Sequence, residues 1–231
     1  MDISGTTALV TGANRGLGRA IAEELLDRGA KTVYAAVRDP GSVTDERLTP
    51  IQLDVTDPDS VFAAARVATD VELVVNNAGI AGSGSVLAPQ GVESLRRQLE
   101  TNAIGPLHVI RAFAPYLEAN GGGAVVNVLS VLSWVTMAPT SGYSASKAAA
   151  WSLTNAARGE LRAQGTQVVG VHVGYLDTDM AAHVEGPKTD PADLARQILD
   201  AVENGDDEVL GDELTRAVKA GLSGPVAGLS L

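Results

Sequence analysis

The sequence predicts an α/β fold in which a doubly wound parallel sheet is flanked by helices and forms a single domain, residues 1–231. Short aliphatic runs of strand length alternate with longer segments that have helical periodicity. The short runs are apolar almost throughout, which is typical of strands buried on both faces of a sheet. No Pro/Ser-rich linker, charge block or internal repeat divides the chain. We therefore expect one sheet with right-handed crossovers.

Six runs of residues are predicted as strands: 6–10, 32–37, 51–55, 71–75, 124–129 and 167–173. Between the first two strands, Leu17, Ile21 and Leu25 recur every four residues, which predicts a helix with one buried face. Gly29 follows this segment and is suited to ending the helix, because glycine adopts the left-handed conformation without strain.

Further helices are predicted over residues 95–120, 144–164 and 190–204. Gly165 is placed to end the second of these, and Asp190-Pro191 is a typical beginning for the third. The tail, residues 217–231, is rich in Gly, Ser, Ala and Pro. We expect it to be a loosely packed end.

The composition excludes several classes of protein. Hydrophobic residues make up 45% of the chain and charged residues 19%, which favours a large core over disorder. The net charge of -11 would repel a nucleic-acid backbone. There is no cysteine and the three histidines are widely spaced, so we expect neither disulfides nor a metal site. The amino terminus lacks the pattern of a signal peptide and no apolar run reaches membrane-spanning length, which predicts a cytoplasmic protein with no membrane partner.

A glycine-rich turn, T-G-A-N-R-G-L-G at residues 11–18, lies between the first strand and the first helix. Glycines there allow the backbone to approach a pyrophosphate at a positive helix amino terminus. The spacing is G-x-x-x-G-x-G and not the commoner G-x-G-x-x-G. A glycine cluster alone is more often just a turn, but this position favours a dinucleotide site. The candidate cofactor contacts here are Gly12, Asn14, Arg15, Gly16, Leu17 and Gly18.

Five further motifs follow in order: Asp54 after the third strand, N-N-A-G at 76–79 after the fourth, Asn102, Ser130, and Y-S-A-S-K at 143–147. With the glycine turn, residues 6–180 resemble the short-chain dehydrogenase/reductase family, which has a Rossmann-like fold. The resemblance implies that Asp54 and Val55 bind the adenine. It also implies that Asn77, Ala78 and Gly79 border the cofactor and stabilise the sheet. Taken singly, these residues are more often structural: Asp54 as a capping residue and the asparagines as part of a turn.

Tyr143 is the candidate catalytic acid, since transfer of a hydride to a carbonyl leaves charge on oxygen that a proton must neutralise. Lys147 lies four residues on, hence on the same helical face, where its ammonium would lower the phenol pKa from about 10. The family resemblance implies that Lys147 also binds the nicotinamide ribose, Ser130 holds the substrate oxygen, and Asn102 fixes a water in a relay to Lys147. Each residue alone has a structural alternative: a solvated Tyr/Lys pair, a capping serine, and a helix interruption at Asn102.

The residues at the end of the second predicted strand indicate whether the cofactor is NAD(H) or NADP(H). NAD enzymes of this fold place an acidic residue there to bind the ribose hydroxyls. By resemblance Val37 occupies that place, and Arg38 follows it, where a guanidinium can pair with a 2′-phosphate. Arg15 is a second cation, so we expect NADP(H) in preference to NAD(H). The alternative is that Asp39 is the ribose acid and Arg38 a solvated charge.

The chain departs from the family pattern after the sixth strand, where Val173-Gly174 stands in place of Pro-Gly. We expect this to loosen the floor beneath the nicotinamide, with Gly174 and Thr178 retained as cofactor contacts. Few residues separate Met180 from the next helix, so the substrate pocket should be open. Its expected walls are Val131, Leu132, Ser133, Trp134, Tyr175, Met180 and His183.

These features predict an NADP-dependent oxidoreductase that reduces a ketone or aldehyde, or oxidises the alcohol. The apolar walls favour a hydrophobic small-molecule substrate. The alternatives are a 3-oxoacyl thioester reductase and a binding protein that senses NADP(H) without turnover; a sugar-nucleotide epimerase fits the length and glycine spacing less well. The resemblance also implies a homodimer or homotetramer through the helices of residues 95–120 and 144–164. A tetramer contact through the carboxyl-terminal end is in doubt, because the family's Gly-rich end is missing.

Overall fold

In the computed structural model, which describes residues 1–82 and 84–230, seven parallel strands form one sheet in the order β3-β2-β1-β4-β5-β6-β7. The strands are β1 Thr7–Thr11, β2 Thr32–Val37, β3 Thr49–Gln52, β4 Leu73–Asn76, β5 Gly123–Val128, β6 Thr166–His172 and β7 Glu208–Leu210. The strand order reverses between β1 and β4. This arrangement confirms the predicted doubly wound α/β fold.

Helices cover both faces of the sheet. They are α1 Gly16–Asp27, α2 Pro58–Val67, α3 Gly91–Leu99, α4 Gly105–Ala119, α5 Ser141–Leu161, α6 Pro191–Asn204 and α7 Glu213–Gly221. On one face, Ile21 and Leu25 of α1 pack with Ile198 of α6. On the other, Phe113 and Leu117 of α4 pack with the buried residues of α2 and α5. Burial of every strand between two helical layers explains the nearly continuous apolar runs in the sequence. Within the described residues, no helix is both long enough and apolar enough to span a bilayer.

The predicted helix over residues 95–120 is interrupted. It divides into α3, a π-helical segment at Glu100–Ile104, and α4. The sequence signal was Gly105-Pro106, since proline has no N–H with which to continue an α-helix. In an α-helix that N–H would bind the carbonyl of Asn102, four residues earlier.

The carboxyl-terminal region is more structured than its composition suggested. β7 has only three residues, too few to give a recognisable pattern, and it was not among the predicted strands. α7 extends into the segment that we expected to be loose. Most of residues 217–230 are exposed, but Val218 and Leu229 pack against a buried apolar cluster, and the Leu229 carbonyl accepts a hydrogen bond from the Thr136 N–H at 3.0 Å. The last residue of that predicted tail, Leu231, lies outside the described residues.

Candidate active site

The carboxyl ends of the central strands bring the predicted motifs to one edge of the sheet. The glycine turn begins at the end of β1, Asn76 ends β4 with residues 77–79 following it, and Ser130 follows β5. Tyr143 and Lys147 lie in the first two turns of α5. In doubly wound sheets, ligands bind at this edge where the strand order reverses.

The glycine turn is a backbone cradle at the amino terminus of α1. Gly12 and Gly16 have φ angles of 68° and 54°, in the left-handed region that favours glycine. A Cβ on Gly18 would overlap the Gly12 carbonyl and the Asn77 amide. The Asn77 Nδ2 donates to the Thr11 carbonyl at 2.9 Å, so a hydrogen bond joins the glycine turn to the segment of residues 76–79. A glycine turn at a helix amino terminus, with no side chain on Gly12, Gly16 and Gly18, fits the pyrophosphate of a dinucleotide.

The other residues predicted to bind the cofactor near this turn differ in their surroundings. Leu17 is buried in the core below the turn, so its side chain is structural. Arg15 is exposed and lies 3.7 Å from the Asp179 carboxylate, also exposed, so the pair contributes little to stability. A Cβ on Gly16 would lie 3.3 Å from the Thr178 Cγ2, which places Thr178 directly beside the turn.

At the adenine end, the Asp54 Oδ1 accepts hydrogen bonds from the Thr56 N–H at 2.9 Å and hydroxyl at 2.7 Å. The backbone bond to Thr56 is the main reason that the pKa of Asp54 is lowered, and Arg38 adds to the effect. The carboxylate is therefore ionised and fixed in direction. Val55 is buried in the core behind it.

The residues after β2 are arranged around a short turn. The Asp39 Oδ1 accepts a hydrogen bond from the Gly41 N–H at 3.0 Å and caps this turn. The Asn14 Nδ2 donates to the Ser42 Oγ at 3.2 Å, which links the glycine turn to it. The capping role ties the Asp39 carboxylate to its own backbone.

Ser130 begins a short 3-10 turn after β5. Its Oγ accepts a hydrogen bond from the Leu132 N–H at 3.1 Å, and its N–H donates to the Ser133 Oγ at 3.3 Å. Because Oγ already accepts, its O–H proton can be donated to a ligand. Ser133, which we expected in the pocket wall, is buried as the reciprocal partner in this cap.

Lys147 is buried beside Tyr143. Its Nζ donates to the Val128 carbonyl at 2.7 Å and lies 5.7 Å from the centre of the Tyr143 ring. Burial lowers the pKa of Lys147 to about 8. Burial raises the pKa of Tyr143 to about 12, and its hydrogen bond with Ser130 acts in the opposite direction. The expected lowering of the phenol pKa by the ammonium is therefore wrong for this structure, because desolvation outweighs other effects on the phenol.

Asn102 lies in the π-helical segment and is buried. Its Oδ1 accepts a hydrogen bond from the Ile80 N–H at 2.8 Å, and its Nδ2 donates to the Ile80 carbonyl and to the Ser146 Oγ. The side chain thus ties the segment after residues 76–79 to α5. Asn102, Pro106 and Lys147 also line a small cavity of about 10 Å³, close to the size of one water molecule.

The segment after β6 is held by a residue that the sequence analysis missed. The Asp212 Oδ2 accepts a hydrogen bond from the Gly174 N–H at 2.6 Å, and its Oδ1 caps α7 through the Thr215 N–H. The Val173 carbonyl accepts from the Val131 N–H at 3.0 Å. Both residues of the Val173-Gly174 dipeptide are thus held by hydrogen bonds. This is not the loosening that we expected from the missing proline. An acidic residue before an amphipathic helix was the available signal for Asp212.

Only some of the residues expected to line the substrate pocket lie beside Tyr143. Val131 and Leu132 belong to a buried cluster that Tyr143 contacts. Tyr175 and Met180 are 40% and 50% exposed, and His183 is also exposed, so they border open solvent. Trp134 is half-buried: its ring stacks on His172, with centroids 3.9 Å apart, and meets Trp151 edge-on.

The fold and this constellation define a dinucleotide-binding oxidoreductase. A family model described as short chain dehydrogenase matches residues 6–188. The chain belongs to the short-chain dehydrogenase/reductase family, which confirms the resemblance seen in the sequence.

Relatives agree with this assignment. The chain is 33% identical over 189 residues to a 3-oxoacyl-[acyl-carrier-protein] reductase of Vibrio cholerae, covering 78% of this chain and 77% of the relative. It is 37% identical over 190 residues to cis-4-hydroxycyclohexanecarboxylate dehydrogenase of Sinomonas cyclohexanicum, covering 76% and 75%. A solved short chain dehydrogenase from Burkholderia cenocepacia, in complex with NADP, superposes with a TM-score of 0.94 at 40% identity, covering 99% and 97% of the chains.

Proposed function

We propose that the protein is an NADP(H)-dependent reductase of ketones or aldehydes, which also runs in the alcohol-oxidising direction. One observation carries the proposal: the Ser130 hydroxyl, the Tyr143 phenol and the buried Lys147 ammonium lie close together, at the same edge of the sheet as the glycine turn. A proton donor, an oxygen-binding hydroxyl and a buried cation are the groups that carbonyl reduction needs.

Each group of the site has a separate task. When bound, the reduced nicotinamide supplies the hydride that attacks the carbonyl carbon. The glycine turn binds the pyrophosphate and Lys147 binds the ribose. The Ser130 O–H donates a hydrogen bond to the carbonyl oxygen, and Tyr143 passes its proton to that oxygen as it gains negative charge.

The pKa values suit this direction of proton transfer. With a pKa of about 12, Tyr143 stays protonated at neutral pH, so the phenol already carries its proton when the carbonyl substrate binds. An alkoxide is more basic than a phenolate, so the proton moves from Tyr143 to the developing alcohol. The Lys147 ammonium then stabilises the phenolate that is left.

Tyr143 must afterwards regain its proton, for which we propose a relay through Lys147 and a water bound near Asn102. The Asn102 amide donors are used by Ile80 and Ser146. The backbone carbonyl of Asn102 is the group suited to the water, because Pro106, four residues later, has no N–H to donate to it. Asn102, Pro106 and Lys147 all line the small cavity.

A 3-oxoacyl thioester reductase is the second candidate, favoured by the Vibrio cholerae relative. A sensor without turnover has no use for a proton donor and relay. NADPH oxidation, followed by nicotinamide absorbance with a panel of aldehydes, ketones, diketones, quinones and a 3-oxoacyl thioester, separates these functions. We expect oxidation with a member of the panel; tight NADPH binding with no oxidation would favour the sensor.

We propose NADP(H) as the cofactor because the turn after β2 offers Arg38 and the Asp39 carboxylate is used as a cap. The NADP-bound Burkholderia cenocepacia relative supports this choice. Arg38→Ala should weaken NADPH binding about ten- to a hundredfold, which corresponds to the ~1.5–3 kcal/mol of a charge-assisted hydrogen bond. Binding of NADH should change little, and Val37→Asp should shift preference towards NADH.

Dissociation constants for both cofactors, measured by fluorescence titration, test this choice. Arg66→Ala is a matched control, since it removes a guanidinium from the last turn of α2, outside the predicted cofactor contacts. NADH bound as tightly as NADPH by the unmodified protein would contradict the assignment and make Asp39 the residue to test.

We also propose that the chain forms a homodimer or homotetramer through residues 95–120, which span the end of α3 to α4, and through α5. The small residues of α5 expected at the contact are Ala148, Ala149, Ala156 and Ala157. Ala157 faces the core, whereas Ala156 is exposed. Exposed small residues on α5 allow a second helix to approach closely. Light scattering at micromolar concentration should give a multiple of the 23.7 kDa chain mass; a monomer mass would contradict the proposal.

A further inference from the structure

His172 is a buried polar residue that the proposed mechanism does not use. It is the last residue of β6, its side chain is 1% exposed, and its Nδ1 lies 3.1 Å from the Ser130 carbonyl oxygen. The ring is also fixed in plane, because Trp134 stacks on it with an interplanar angle of 21°. The orientation of the imidazole, and with it the direction of its hydrogen bond to Ser130, is therefore fixed.

The surroundings decide which ring nitrogen carries the proton. The Nε2 atom lies 3.8 Å from the Glu208 Oε1, beyond hydrogen-bond distance, and that carboxylate already binds the Lys219 ammonium. Burial lowers the pKa of His172 to about 4, so the ring is neutral and carries a single N–H at neutral pH. A carbonyl oxygen only accepts, so the proton belongs on Nδ1, which donates to Ser130.

Most other hydrogen bonds of Ser130 stay within its own turn. They join its N–H to Ser133, its Oγ to Leu132, and its carbonyl to the Ser133 N–H at 3.0 Å. These bonds shape the turn, and the N–H groups of Leu129 and Val131, on either side of Ser130, donate to the Val171 and Val173 carbonyls and join it to β6. The imidazole of His172 supplies a side-chain link from the serine's own peptide group to the neighbouring strand.

We propose that His172 is a positioning residue for the reaction: its Nδ1–H holds the Ser130 carbonyl and so fixes where the Ser130 hydroxyl meets the substrate oxygen. The inference rests on the proposed function. Trp134, whose ring lies 5.6 Å from the Lys219 Nζ, keeps the imidazole in place from the α7 side. The tryptophan that we expected in the pocket wall thus supports the site from behind.

Two variants separate the hydrogen bond from packing. His172→Leu keeps an apolar filler but removes the donor, whereas His172→Asn places an amide N–H near the former Nδ1. With NADPH and the carbonyl that reacts fastest with the unmodified protein, His172→Leu should lower kcat about ten- to a hundredfold, because small displacements of reacting groups have effects of that size. The KM for NADPH should not change. His172→Asn should recover most of the rate.

Gln167→Leu is a matched control on the same strand. Gln167 lies at the opposite end of β6, and its Nε2 donates to the carbonyls of Ala201 and Asp206, away from the site. This variant loses side-chain hydrogen bonds of the same kind and should keep its kcat. An equal loss in Gln167→Leu would show that the effect of His172→Leu is general destabilisation and would overturn the proposal.

A double-mutant cycle with Ser130→Ala tests whether His172 acts through Ser130. Adding His172→Leu to Ser130→Ala should then lower kcat no further. Multiplicative losses would overturn the proposal, as would a kcat for His172→Leu equal to that of the unmodified protein, or a folded His172→Asn as slow as the leucine variant.

A spectroscopic measurement needs neither a substrate nor a folded variant. Imidazole nitrogen NMR of the unmodified protein at neutral pH should show His172 as the Nδ1–H tautomer. The Nε2–H tautomer would overturn the proposal, since no donor would face Ser130. If no carbonyl in the panel is reduced, the proposed function fails instead, and the spectrum still decides whether the His172 hydrogen bond exists.

Discussion

Tyr143→Phe should lower kcat for carbonyl reduction about 10²- to 10⁴-fold, the range associated with loss of a general acid. The change removes only the phenolic O–H, and the ring continues to pack against Val131 and its neighbours. The dissociation constant for NADPH should therefore stay within a few-fold of its original value. Steady-state NADPH oxidation and a fluorescence titration measure the two quantities on the same preparation.

Tyr34→Phe provides the control for this prediction. The Tyr34 hydroxyl donates to the Asp70 carboxylate at 3.3 Å on the surface, on β2, away from the site. Its loss should leave kcat unchanged. If Tyr143→Phe retained activity within a few-fold of the unmodified protein, Tyr143 would not be the proton donor.

Lys147→Met should lower both the rate and the affinity for NADPH, because Lys147 is given two roles. Removing a charged contact to the ribose should weaken NADPH binding about tenfold or more. The rate should fall as well, since the phenolate left on Tyr143 loses its neighbouring cation. Methionine keeps the apolar length of the side chain, so circular dichroism should show an intact fold. Unchanged NADPH affinity would rule out the ribose contact.

The same lysine sets an expected pH dependence. Its pKa is lowered to about 8, so the ammonium is present below that pH and is lost as the pH rises through it. Because kcat/KM reports groups of the free enzyme, kcat/KM for reduction should be level below about pH 8 and fall above it. A profile that stays flat well above pH 8 would indicate that the charge on Lys147 does not assist the reaction.

The sequence predicted the parts of the site that depend on local pattern. The glycine turn, the asparagines after β4 and the Tyr-Lys pair each combine a residue type with a fixed spacing, and parallel strands bring the residues after their carboxyl ends to one edge of the sheet. The break around Asn102 could also be predicted, because Gly105-Pro106 is a local signal against a continuous helix.

The rest depended on packing between residues far apart in the chain. Asp212 binds Gly174 across 38 positions, and the stacking of Trp134 on His172 joins the turn after β5 to the end of β6. The pKa of Tyr143 was given the wrong direction for the same reason. An ammonium four residues away is visible in the sequence, whereas the burial that dominates is not.

Transfer of isotope from the cofactor tests NADPH-dependent reduction of a carbonyl at the reacting atoms themselves. The protein is incubated with NADPH that carries deuterium at both C4 positions of the nicotinamide and with the carbonyl that reacts fastest, and the product is analysed by mass spectrometry. We expect an alcohol with one deuterium on the carbinol carbon, formed by the unmodified protein and formed at least about 10²-fold more slowly by Tyr143→Phe. An alcohol without deuterium, or equal labelled product from the Tyr143→Phe variant, would contradict the proposed reaction.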